Sequence, residues 1–418
     1  MHRMLALLGG IAAGLLPACG GRGPVPDVDA APAEEAVVRP GIDVLLSDSI
    51  HLVRGRRVGL VTNQTGIDTA GVSDVEVLRA AGVQLVALFS PEHGFRGAAA
   101  PGERVATTRD PATGLPIYSL YGSTTAPTDQ MLRGIDLLIV DLQDVGARYY
   151  TYISTAIEVM RAGARRNIPV MILDRPNPLG GAMQGGVLDT AFATFVGRLR
   201  VPMRHGLTMA EMAKLAADEL KIGGTLLVVP VADWKRSRTF DEIGLPFVPP
   251  SPNLRTLESL FHYPGTCLFE GTNLSVGRGS DAPFEQVGAP WLHTARVLEI
   301  LEQDKPSGVD FTPVAFTPAS PGDGKYADTL VVGIRLKVSS KDAYDPTLAA
   351  VRLLSAIRQA HPGQFQWIPA HFDRLAGSSR LREAITRGTD PEIATSSWRE
   401  EVYAFSKRVK PYLIPAYE

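Results

Sequence analysis

The stretch VQLVALFSPEHG at residues 83–94 decides the reading of the chain: an apolar run from Val83 to Phe89 stops abruptly in Ser90, Pro91, Glu92, His93 and Gly94. The arrangement recurs on both sides. Val58 to Val61 runs into Thr62, Asn63, Gln64 and Thr65; Leu137 to Val140 runs into Asp141, Gln143, Asp144 and Arg148; Val170 to Leu173 runs into Asp174, Arg175, Pro176 and Asn177. Between the last two runs, Ile153, Ile157, Met160 and Ala164 fall on one face of a helix expected over 150–166. Further on, Thr208 with Glu211 three residues later forms a capping box for a helix running to Leu220. Strands alternating with helices predict an α/β fold with a Rossmann-like, doubly wound, mainly parallel sheet. In such a sheet the ligand crevice lies outside the carboxyl ends of the strands. Four strand ends furnished with carboxylates, amides and guanidiniums therefore describe one wall of a polar site.

At 418 residues the chain exceeds what one hydrophobic core usually serves, which favours two domains. The prolines at 246, 249, 250 and 252 mark the expected boundary, dividing a Rossmann-like catalytic domain over 41–248 from a smaller α+β domain over 249–418. Helices near 293–303, 347–360 and 398–409 and a strand near 330–338 are expected there, together with a loop at 268–288 that is too polar and too long to be idle. An apolar content of 45%, a charged content of 21% and a net charge of −2 describe a globular protein without the basic footprint of a nucleic-acid binder. At the N-terminus a short basic start precedes an apolar stretch from Leu5 to Leu16, too short to span a bilayer comfortably. It ends in Leu16-Pro17-Ala18-Cys19-Gly20, which resembles a bacterial lipobox. Residues 1–19 then read as a lipoprotein signal with Cys19 as the lipidated residue, and 20–40 as a flexible tether. An ordinary signal followed by a free cysteine is the alternative. The lipobox reading predicts export to the cell envelope, a membrane anchor through the lipid, and the periplasm as compartment.

Several of these residues could do chemistry. Glu92 stands just past a strand on a turn constrained by Pro91 and Gly94, the positioning a proton donor to a leaving-group oxygen needs; capping the turn is its competing role. His93 beside it is either a hydrogen-bonding wall or an acid–base group. Asp141 and Asp144 near one crevice could divide into an ionised and a protonated acid, while Asp141 could equally fix its own loop. No second histidine lies at ligand spacing, so no metal is expected. No G-x-G-x-x-G follows the first strand, so no dinucleotide and no other cofactor is expected. In the second half, Glu270, Asn273 and Arg278 sit on one glycine-rich loop; Arg278 could anchor a carboxylate through its fork or pair within the loop with Asp281 or Glu285. Tyr149, Tyr150, Tyr152, Trp234, Phe284 and Trp291 are candidate platforms for sugar rings.

The runs at 61–66, 89–97, 141–148 and 174–181, with those at 270–279 and 283–291, resemble the signature segments of the NamZ-type exo-β-N-acetylmuramidases. The likeness extends from about Gly41 onward. It implies a glycoside hydrolase that removes N-acetylmuramic acid from the non-reducing end of peptidoglycan-derived glycans, with Glu92 in the place of the family's candidate catalytic acid. The residues suit that substrate. Its lactyl carboxylate calls for a cation such as Arg148, Arg175 or Arg278, and its hydroxyls and acetamide call for amides such as Asn63, Gln64, Asn177 and Asn273, with His93, Tyr150 and Asp174 completing the expected binding set. The second catalytic group is expected among Asp141, Asp144 and Glu270. The rival reading is a non-catalytic envelope lipoprotein that binds muropeptides or sugars.

Overall fold

Seven strands form the central sheet, and four of them are the apolar runs that mark the sequence. The computed structural model describes residues 37–418 apart from 101 and 105; Cys19, the signal and the tether as far as residue 36 lie outside the described residues, while the last residues of the expected tether are part of the fold, with Val38 buried and Arg39 bridging Ala232. Helix α1 (Gly41–Asp48) precedes β1 (Arg57–Thr62), α2 (Asp74–Ala80) and β2 (Gln84–Ser90). Two short strands, β3 (Thr108–Arg109) and β4 (Pro116–Ser119), lead to β5 (Leu137–Asp141), α3 (Tyr152–Arg166) and β6 (Val170–Leu173). A separate ribbon of β7 (Gln184–Val187) and β8 (Pro202–Arg204) comes before α4 (Met209–Glu219) and β9 (Leu226–Val229). The sheet order is β3-β4-β2-β1-β5-β6-β9, parallel throughout except for the β3–β4 pair. The winding reverses between β1 and β5, and that reversal opens a crevice at the strand ends.

β5 is buried along its whole length, as a parallel strand covered on both faces must be. One cover is α3, which buries Ile153, Ile157 and Met160 and stops at Asn167 in the left-handed conformation, φ 53°. The capping box of α4 forms as its sequence predicts, with Thr208 and Glu211 each accepting from the other's backbone N–H.

The C-terminal part holds α5 (Leu257–Thr266), a turn of 3₁₀ helix at Cys267–Gly271, β10 (Gln286–Ala289), α6 (Thr294–Leu301), β11 (Val309–Phe316), β12 (Val331–Val338), α7 (Pro346–Ala360) and α8 (Pro369–Ala376). β10, β12 and β11 make a small antiparallel sheet in that order. Two of its strands differ from expectation. Residues 286–289 were expected as loop, and β11 hid because Pro313 interrupts it; β11 is an edge strand, where proline is tolerated. Residues 129–134, between β4 and β5, form turns.

Residues 37–418 form a single compact unit, and the distal segment returns to the first sheet. The helix Trp398–Val409 packs against β7, and Tyr417, fully buried, stacks edge-on against Trp234 at 5.1 Å while its hydroxyl donates to Asp174 at 2.8 Å. Asp174 is shut inside at the end of β6. Burial pushes its carboxyl up to about 7, against the opposing hydrogen bonds from Ala210 N–H, Thr208 and Tyr417. A carboxyl raised in the fold contributes stability that is fully present below the ordinary aspartate value near ~4 and is lost as pH rises through about 7. Asp174→Asn should therefore flatten this part of the stability profile: between those pH values native protein loses stability relative to the variant in urea titrations. A constant difference across the window would contradict the assignment.

Candidate active site

The turn after β2 places Glu92. Gly94 N–H closes on the Pro91 carbonyl at 3.1 Å, with His93 at φ 70°, a left-handed conformation that costs a non-glycine residue and clusters at functional sites. Glu92 is 9% exposed. Its Oε1 accepts from Gly102 N–H at 3.1 Å and its Oε2 from the Thr151 hydroxyl at 2.7 Å. Tyr121, just past β4, also bonds Glu92, and burial together with that carboxylate raises its phenol well above the usual value. His93 Nδ1 meets the Ala99 carbonyl at 2.9 Å. A carbonyl only accepts, so Nδ1 carries the proton and Nε2 the lone pair. Burial holds the ring below its ordinary pKa and thus neutral, against the pull of Glu92.

The facing wall comes from the C-terminal part. Glu270, on the turn after α5, accepts from Arg278 Nε at 2.6 Å and from the Cys267 thiol at 3.4 Å. Burial alone would raise its carboxyl, but the charge and hydrogen bond of Arg278 outweigh burial and hold it below the usual range. Arg278 lies over the Phe284 ring at 4.9 Å. Its partner is thus Glu270, while Asp281 meets Arg335 and Glu285 meets Thr256.

Glu92, His93, Tyr150, Glu270 and Arg278 line one cavity of about 260 Å³. Tyr149 and Phe284 line it as well; Tyr152, Trp234 and Trp291 do not. Seven of the cavity's polar groups escaped sequence reasoning: Tyr121, Thr151, Ser251, Tyr263, Asp323, His371 and Arg374. The strand-end rule applied to β4 would have found Tyr121. His371 and Arg374 sit mid-helix on α8 with no local signal.

The remaining candidates do not line this cavity, so of the four strand ends expected to form its wall only that of β2 does, joined by the end of β4. Asp141 is fully buried and forms a two-point pair with Arg175 at 2.5 and 2.9 Å, and Arg175 also donates to the Ile67 carbonyl. Asp144 accepts from Gly146 N–H at 2.8 Å and lies 3.3 Å from His205. Asn63 ties Tyr152 to Thr65, and Gln64 donates to the Pro249 carbonyl. Asn177 joins Leu207 to Leu179, Asn273 clamps the backbone of Gln364 and Gln366, and Asp174 holds Ala210 and Tyr417. Arg148 spends its guanidinium on three carbonyls, those of Gly186, Val201 and Leu375. For most of them the partners are backbone groups, and the cause is shared. Loops that enter and leave a buried sheet edge carry backbone donors and acceptors that water cannot reach, and short polar side chains satisfy them.

Among the described residues no group of three or more His, Cys, Asp or Glu side chains is arranged to hold a metal ion, and no helix is long and apolar enough to cross a membrane.

Two carboxylates on separate elements facing one polar cavity beside an α/β sheet are the equipment of a glycosidase. Comparison with known proteins agrees. Residues 58–258 match the family description "Exo-beta-N-acetylmuramidase NamZ, N-terminal" and residues 261–414 match its C-terminal counterpart. The chain belongs to the NamZ exo-β-N-acetylmuramidase family and is a glycosidase. It is 42% identical over 392 residues to the peptidoglycan beta-N-acetylmuramidase NamZ of Bacillus subtilis (strain 168), covering 93% of this chain and 94% of that one. Two solved DUF1343 family proteins of Bacteroides fragilis NCTC 9343 share the fold, each 30% identical: one with a TM-score of 0.83 over 90% of this chain and 98% of its own, the other with 0.75 over 91% and 99%.

Proposed function

We propose that this protein releases N-acetylmuramic acid from the non-reducing end of peptidoglycan fragments, with Glu92 as the acid that protonates the glycosidic oxygen. The observation that carries the reading is the shared cavity, in which a hydrogen-bonded Glu92 and an Arg278-paired Glu270 come from different parts of the fold. The relative from Bacillus subtilis, named as a peptidoglycan beta-N-acetylmuramidase, supplies the substrate class. Thr151 suits the acid role because a hydroxyl both donates and accepts: it donates to ionised Glu92 and turns to accept when Glu92 carries a proton. Glu270, kept anionic by Arg278, stabilises the oxocarbenium-like charge at the anomeric carbon or takes the proton of the attacking water. Neither Asp141, paired with Arg175, nor Asp144, which accepts from Gly146 N–H, lines the cavity, so the reading gives that role to Glu270. Lipidation at Cys19 would hold the enzyme in the envelope beside its polymer.

Mass spectrometry of a defined muramyl-terminated glycan after incubation is the test. Free N-acetylmuramic acid and a chain shortened by one sugar are expected. Tight binding with the glycan intact would instead favour the sugar-binding lipoprotein.

A further inference from the structure

Most of the charges lining the cavity are answered within the protein. Glu270 has Arg278 and the Cys267 thiol, and Asp323 accepts from Lys325 N–H. Arg374 differs. It stands on α8, half-buried, and among the described residues its guanidinium makes no hydrogen bond, ion pair or ring contact, although its Nε is shut off from water. Arg278 has a similar vacancy: its Nη1 is buried without an acceptor while its Nε holds Glu270. A buried donor left unmade costs on the order of 1–3 kcal/mol, and the two arginines that each carry one, Arg278 and Arg374, both line the cavity.

His371 lies three residues before Arg374 on the same helix and lines the same cavity. Burial lowers its pKa; Glu270 opposes, while Arg374 and Arg278 both push it further down. Both guanidiniums thus act on one ring, which stays neutral between them. The wall carries two guanidiniums, Arg278 and Arg374, and two carboxylates, Glu270 and Asp323, and of the guanidiniums only Arg278 is paired with a carboxylate.

We propose that Arg374, assisted by the free N–H of Arg278, reads the lactyl carboxylate that distinguishes N-acetylmuramic acid from N-acetylglucosamine. This rests on the muramidase reading above. A carboxylate answers two N–H groups at once and supplies the countercharge, whereas a sugar hydroxyl can satisfy one N–H and leaves the charge bare. A glycan without the lactyl group therefore leaves a desolvated guanidinium unpaired, and that penalty rejects it.

Three nitrophenyl β-glycosides test the assignment: N-acetylmuramic acid, its lactyl methyl ester, and N-acetylglucosamine. Native enzyme should prefer the free acid over the ester by roughly 10- to 100-fold in kcat/KM, the range of a hydrogen bond to a charged group, expressed mainly in KM. In Arg374→Met that preference should collapse to near unity, and Arg374→Lys, which keeps charge but not the fork, should fall between. Thermal midpoints of both variants should stay close to that of the native protein, because Arg374 has no hydrogen bond or ion pair to lose and Met or Lys keeps its half-buried stem packed. An undiminished preference for the free acid in Arg374→Met would overturn the proposal, as would unfolding of either variant. Absence of muramide hydrolysis by native enzyme would instead refute the proposed function.

Discussion

Replacing Glu92 by Gln lowers turnover of a muramyl-glucosamine disaccharide by roughly 10²–10⁴-fold, the contribution of a positioned general acid. The fold should survive. The Gln carbonyl can keep the Gly102 N–H and its amide can donate to Thr151, whose hydroxyl turns to accept. The leaving group makes the test specific to proton donation. A sugar alkoxide must be protonated as it departs, whereas a nitrophenolate departs unaided, so the loss on a nitrophenyl muramide should be much smaller than on the disaccharide. Equal losses on both substrates would assign Glu92 to another step. Near-native activity on both would remove it from the chemistry.

The second large effect falls on stability. Arg148→Met should cost roughly 3 kcal/mol or more, because it deprives three buried carbonyls of their donor at once. Arg148 is 2% exposed and has no carboxylate partner among the described residues, and burial pushes its guanidinium down to about 10. It works as a rivet: Gly186 and Val201 belong to the ribbon region of the first half, and Leu375 belongs to α8, the helix that carries His371 and Arg374. Urea unfolding of the variant checks the cost, and a change below about 1 kcal/mol would show that water takes over the three carbonyls. Through α8 the same substitution should also raise KM for muramides.

The central sheet could be read from the chain because its strands are parallel and doubly covered, which forces uninterrupted apolar runs such as 137–140. Glu92 was legible for a related reason: Pro91 and Gly94 announce the turn that carries it. Arg148 and Arg175 were misjudged because a strand-end guanidinium looks the same in sequence whether it meets a ligand or a buried carbonyl or carboxylate. Only packing separates the two, and here Asp141 and the 186, 201 and 375 carbonyls claimed them first. Arg374 escaped for the opposite reason. On a short amphipathic helix an arginine reads as a solvated face, and nothing local reveals that tertiary folding brings it to the cavity that Glu92 lines from far upstream. The small antiparallel sheet was obscured by Pro313 and by a β10 of four residues among glycines.

The bond between Tyr417 and Asp174 joins residues 243 positions apart, and it sets an order of events during synthesis. The strands β5, β6 and β9 leave the ribosome long before the segment that plugs their edge, so the nascent sheet waits with a dehydrating carboxyl and an open slot beside Trp234. A chain stalled short of that segment keeps a loosened β6 end and remains a client for chaperones. Docking of this segment is therefore a late latch rather than a gradual accretion, and a proteolytic nick that frees the latch should soften the oldest part of the structure first.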